Sequence, residues 1–98
     1  MAAFGLAAAA AVPALTDALQ DPEADVRMEA AETLGALSAS AKSAVPALIV
    51  ALQDSHPKVR SEAAEALEQI TRAWGDGDPA LRQRALDALA RINRDPSP

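Results

Sequence analysis

The sequence has no cysteine and no tyrosine, and its only aromatic residues are Phe4 and Trp74. Without cysteine, disulfide frameworks and thiolate metal sites are excluded, and the cytoplasm is the natural expectation for its location. Strand-favouring aromatic and β-branched residues are scarce while alanine, the best helix former, is everywhere, so an all-α chain is expected. Positive charge is also in short supply, with nine Lys and Arg against 14 Asp and Glu, a net charge of −5. Phosphate-backbone binding needs a basic stripe, so no nucleic-acid partner is expected. Histidine occurs once, at His56 before Pro57, with no second ligand or nucleophile beside it in the sequence. It reads as an exposed turn residue, and no metal, cofactor or catalytic set is expected. The apolar start, residues 1–12, lacks a basic leader, is too short to span a bilayer and is closed by Pro13, so no membrane role is assigned to it.

What is present is a repeat. Residues 11–37 read AVPALTDALQDPEADVRMEAAETLGAL and residues 44–70 read AVPALIVALQDSHPKVRSEAAEALEQI, identical at 16 of 27 positions at a gapless offset of 33. A tandem duplication follows. A partial third copy, Leu81 to Ile92, matches the second half of the unit that starts at Val59, but it arrives after 22 residues. The first helix of a third unit is therefore read as missing. Residues 1–10 fall where the tail of a preceding unit would lie.

Each unit reads as two helices. Val12, Leu15 and Leu19, and again Val45, Leu48, Ile49 and Leu52, mark one face of a first helix. Pro46 sits in its first turn, where no intrahelical donor is required. The turns Asp21-Pro22-Glu23 and Asp54-Ser55-His56-Pro57 break the pattern. The second-helix stripes are Val26, Ala30, Leu34 and Leu37, then Val59, Ala63, Leu67, Ile70 and Trp74. Gly75-Asp76-Gly77 ends the fourth helix, and Asp78-Pro79 is a cap followed by a first-turn proline. The last helix offers Leu81, Ala85, Leu89 and Ile92 inward and a polar outer face, the mark of a cap on an array whose hairpins cannot bury their stripes alone. The expected division is residues 1–10 as an alanine-rich leading segment, 11–43 and 44–77 as two full units, 78–93 as a capping helix and 94–98 as a frayed tail.

Three groups of residues stand out. Asp21 and Asp54 recur at the ends of the first helices and Arg27, Arg60 and Arg82 just inside the second, and recurrence in register reads as a structural ladder bracing the turns. Met28, Glu32 and Gly35, and in the next unit Ser61, Glu65, Glu68 and Arg72, fall on the helix face opposite the buried stripe, flanked by Glu29 and Glu62. Stacked units would align them into an acidic ridge, a candidate protein-binding face, with an ordinary solvated face as the plain alternative. Val50 points away from the stripe where the first unit has Asp17. Phe4 and Leu6, if helical, form an apolar surface through which the leading end would dock on a partner or on another copy of the chain.

The motifs AVPAL (Ala11–Leu15, Ala44–Leu48), ALQD (Ala18–Asp21, Ala51–Asp54) and VR-x-EAAE-x-L (Val26–Leu34, Val59–Leu67) resemble the HEAT-repeat family, specifically the short-unit bacterial type related to phycobilisome-lyase-like repeats. That resemblance, covering about residues 11 to 92, implies an α-solenoid of helical hairpins. It also implies a role in scaffolding, complex assembly or peptide binding. The runner-up is a fragment or relative of a HEAT-like enzyme of the bilin-lyase type, for which a chain without cysteine or a second histidine is a poor candidate. A non-enzymatic adaptor with a protein partner is the expectation.

Overall fold

The computed structural model describes residues 2–74 and 78–94, with the backbone alone for residues 2–9, 93 and 94. Its helices are α1 (Ala2–Ala18), α2 (Ala24–Leu37), α3 (Val45–Ala51), α4 (Pro57–Arg72) and α5 (Pro79–Arg94). A 3-10 segment, Ser38–Ala44, links α2 to α3. No strand occurs among the described residues. Residues 75–77 and 95–98, which hold the expected Gly-Asp-Gly turn and most of the expected tail, lie outside the described residues.

Two helix layers form a slab 43 × 32 × 16 Å. α2 and α4 lie side by side in one layer and share the most extensive helix–helix contact. α1, then the 3-10 segment with α3, then α5 make the other layer. Between the layers Leu34, Leu48, Leu67, Ile70, Val45 and Val59 are fully enclosed. Val12, Leu19, Leu52, Trp74 and Leu89 add to this core, and alanines fill much of what remains and let the helices approach closely. Gly35 marks the tightest approach: a Cβ there would lie 2.9 Å from the Ala66 Cα and 3.1 Å from its Cβ. Only glycine fits the α2–α4 crossing at that point.

The turns are made as the local chemistry requires. His56 caps α4, its Nδ1 accepting from the Lys58 N–H at 3.2 Å, and Pro57 occupies the first turn. Asp78 caps α5 by accepting from the Leu81 N–H at 3.1 Å. Ser38 takes a positive φ of 52°, which ends α2 and turns the chain. The run Ala24–Ala51 has the length and mean hydropathy, 1.5, of a membrane-crossing helix. It is not one helix, because the chain breaks at Ser38 and again at Ala41 (φ −99°, ψ 16°).

Three expectations are corrected here. Pro13 does not close the leading segment, since α1 runs from Ala2 to Ala18 with Pro13 inside it. A proline inside a helix costs about 3 kcal/mol, and the surrounding alanines, which strongly favour helix, set this off. Val26 is 38% exposed although it lies on the expected inner stripe, whereas its counterpart Val59 is fully enclosed; α4 has α2 of the preceding unit alongside it, and among the described residues α2 has no such neighbour on its other side. The third difference concerns α5. α5 begins only seven residues after α4 ends, and its C-terminal residues Ala88, Arg91 and Ile92 line a groove that reaches along α4 from Glu68 back to Arg60, so the two helices run antiparallel. α5 also touches both α3 and α4. That is the seat of a first helix, although the residues of α5 match a second one. The sequence carries the matching signal: Pro13-Ala14-Leu15, Pro46-Ala47-Leu48 and Pro79-Ala80-Leu81 recur every 33 residues.

Candidate functional site

The inter-helix turns are held by a repeated arrangement of Asp and Arg. In the first unit the Arg27 Nη1 donates to the Asp21 carbonyl at 2.8 Å and to the Pro22 carbonyl at 3.2 Å. In the second, the Arg60 Nη1 donates to the carbonyls of Asp54 and Ser55 at 2.8 and 3.4 Å. The aspartates each accept from a backbone N–H two residues on, Asp21 from Glu23 and Asp54 from His56, both at 2.9 Å. The remaining edge of Arg27 crosses to the next unit: Nε donates to Asp54 Oδ2 at 2.9 Å and Nη2 to Oδ1 at 3.1 Å. Both side chains are largely buried, 15% and 13% exposed. Burial works to raise the Asp54 carboxyl, but the Arg27 and His56 hydrogen bonds, with the charges of both residues, outweigh it and hold its pKa below the ordinary value.

One unit further on the ladder stops. The 33-residue counterpart of Asp54 is Asp87. After Asp21 and Asp54 the chain meets proline within three residues, whereas Asp87 is followed by Ala88-Leu89-Ala90, which continue the helix. Asp87 therefore stays within α5, where its Oδ1 accepts from Gln83 Nε2 at 2.9 Å. Arg60 consequently keeps its Nη1 bonds to its own turn, and no carboxylate among the described residues meets its Nε–Nη2 edge. Arg82 takes no part in the ladder; it is exposed near the start of α5.

The expected acidic ridge is divided by the packing. On α2 Gly35 turns toward α4 and is buried there, while Met28 is half-buried and Glu32 stays exposed. Glu32 lies close enough to Glu62 to act on it. The Glu62 carboxyl is raised first by partial burial, then by the charges of Glu65 and Glu32, against a lowering by Lys58. On α4 the same face carries Ser61, Ala64, Glu65 and Glu68, and among the described residues no helix lies over it as α4 lies over α2. Arg72 is exposed at the far end of α4. Phe4 and Leu6 fall on α1, and their side chains lie outside the described residues.

The open face of α4 is one wall of a groove of about 1140 Å³. α5 supplies Ala88, Arg91 and Ile92, and α3 with the turn after it supplies Ile49, Val50, Leu52 and Gln53. Val50 is 69% exposed, by far the most exposed large apolar side chain described. The groove thus joins three residues singled out from the sequence (Val50, Glu65 and Glu68) with Arg60 of the ladder. Sequence reasoning missed its α5 wall, because that wall depends on α5 lying antiparallel to α4. The signal that could have found it was the third Pro-Ala-Leu.

Trp74 is 4% exposed and belongs to the core cluster, with the Lys42 ammonium 5.2 Å from the ring centroid. Among the described residues no group of three His, Cys, Asp or Glu is placed to hold a metal ion. A family model described as HEAT repeats matches residues 12–73. No curated protein and no solved structure matches the chain.

Proposed function

The chain belongs to the HEAT-repeat family, and from that membership we propose that it works as a non-enzymatic scaffold or adaptor, or as a small subunit of a larger complex. HEAT repeats generally mediate protein–protein interaction. The observation that carries the reading is Val50, a large apolar side chain 69% exposed on the rim of an open groove. The first unit has Asp17 at the equivalent position, so the fold itself does not require an apolar residue there. Exposed apolar surface rimmed by charge is the usual mark of a contact site. Within the family, the 33-residue unit favours the short-unit bacterial type, and the cysteine-free composition favours a cytoplasmic setting.

Affinity capture by the immobilised full chain, followed by mass spectrometry, tests this. A protein recovered in near-stoichiometric amount, and competed off by free chain, is the expected result. If no protein is enriched over the bare matrix, the adaptor reading fails.

A further inference from the structure

We propose that the groove between α4 and α5 receives an amphipathic helix from a partner protein, its acidic N-terminal end on Arg60 and a basic residue near its C-terminal end on Glu65 and Glu68. This rests on the protein-binding reading above and names the site and the chemistry of what fills it.

The molecule contains a template for the complex. α4 itself is the helix that fills the corresponding seat on α2. There the seat is floored by Gly35, with the buried Ala31 one turn before it, and Arg27 holds Asp54, which lies just ahead of the α4 N-terminus. The counterparts on α4 are Ala64 for Ala31, Glu68 for Gly35 and Arg60 for Arg27. Arg60 offers the same Nε–Nη2 fork, anchored through Nη1 in the same way, and no carboxylate among the described residues enters it. Such a fork matches a carboxylate bidentately. A carboxylate ahead of a helix also sits well with that helix's own dipole and unpaired N–H groups.

The seat differs from its template in one respect, and the difference selects the occupant. Glu68 stands where Gly35 admits close backbone contact, so a helix of this chain's own kind laid there would bury a carboxylate against alanine. That opposes head-to-tail stacking of a second copy through its α2, where Thr33 and Ala36 would face Glu68. It favours a helix with lysine or arginine at the crossing. The template fixes the spacing: Asp54 meets Arg27, and Ala66 and Gln69 meet Gly35, so the basic residue belongs 12 to 15 positions after the acidic one. The apolar stripe between them has Ile49, Val50 and Ile92 to pack against. The groove's volume, about 1140 Å³, exceeds the roughly 300–1,000 Å³ of a small-molecule cleft, and it is open along one side.

The probe is a fluorescent peptide carrying residues 54–73 of this chain with Gln69→Lys, titrated against the full chain by anisotropy. Saturable binding is expected. The peptide with Gln69 retained should bind at least about fivefold more weakly, and Glu68→Gln in the protein should erase that difference, as a double-mutant cycle requires. Arg60→Gln in the protein, or Asp54→Asn in the peptide, should each weaken binding about tenfold or more. Because Arg60 also braces its own turn, Val50→Asp serves as a second variant. It copies the residue the first unit carries, should leave the helical circular dichroism unchanged, and should also weaken the peptide.

Absence of saturable binding overturns the proposal, as does an affinity indifferent to Asp54→Asn in the peptide and Val50→Asp in the protein. A chain that sediments as a dimer which Val50→Asp dissolves overturns it too, in favour of a second copy. The adaptor reading is separable. A captured partner retained equally by the Val50→Asp chain leaves the adaptor standing without this groove, whereas peptide binding with no captured protein does the reverse.

Discussion

Asp54 answers three donors at once, the Nε and Nη2 of Arg27 and the His56 N–H. One carboxylate thereby caps a turn of its own unit and ties it to the preceding one. Asp54→Asn keeps an oxygen for His56 but sets an amide N–H₂ against the guanidinium, so a loss of about 1–3 kcal/mol at neutral pH is expected in urea melts. The folded carboxyl holds its proton less tightly than the unfolded one, so this stabilisation is complete above the ordinary aspartate pKa of about 3.9 and fades as pH falls through the lower folded value. Wild type and variant should converge in acid; a gap that persists undiminished at pH 2 would show that charge is not the cause. Glu62 has the opposite sign. Its folded pKa is raised, so its ionised form opposes folding above that value and the effect vanishes below the unfolded pKa of about 4.3. Glu62→Gln should raise the melting temperature at pH 7 and change nothing near pH 3, and a lowered melting temperature at pH 7 would contradict the repulsion from Glu65 and Glu32.

At the scale of the helix the decisive residue is the smallest. Gly35 lies inside α2, where alanine would add up to about 1 kcal/mol of helix propensity. The approach of α4 reverses that preference: the Gln69 side chain beside the new Cβ can swing away, but the Ala66 backbone at 2.9 Å cannot. Overpacking of this kind costs about 1–3 kcal/mol, so Gly35→Ala should be net destabilising by up to about 2 kcal/mol. A stabilised variant in thermal melts would mean that α2 and α4 are less closely apposed than described. The helices themselves were legible in the sequence, because stripes such as Val45, Leu48 and Leu52 or Val59, Ala63 and Leu67 leave little choice of period, and all six are buried. Seating was harder to read. Gly35 looked like part of a solvent ridge because one helix viewed alone does not reveal its neighbour. α5 looked like a second helix because its residues mimic Val59–Ile70, while chain direction after a short connection put it antiparallel to α4. The groove was half legible for that reason: Val50, Glu65 and Glu68 could be picked out one by one, but the α5 wall that makes them a site follows only from the packing.

Across the whole molecule, one buried cluster runs from Val12 in α1 to Leu89 in α5 without a gap. Stability in repeat arrays is the sum of what each unit contributes and what each interface adds. With so few units, no subset keeps enough buried surface to stand once a neighbour leaves, and the all-or-none unfolding of a small single domain is expected. The chain carries its own means of checking this. Trp74, its one tryptophan, lies between α4 and α5 along the chain and is enclosed in the shared core cluster, whereas far-ultraviolet dichroism reports on every helix. If the array is one cooperative body, urea transitions followed by tryptophan fluorescence and by dichroism should share a midpoint and a slope. The point of strain in this expectation is α5, whose contact with α4 is far less extensive than that between α2 and α4. A fluorescence transition at distinctly lower urea would mean that α5 detaches first. The α5 wall of the groove would then be a docked cap, with a stability of its own, instead of part of the core.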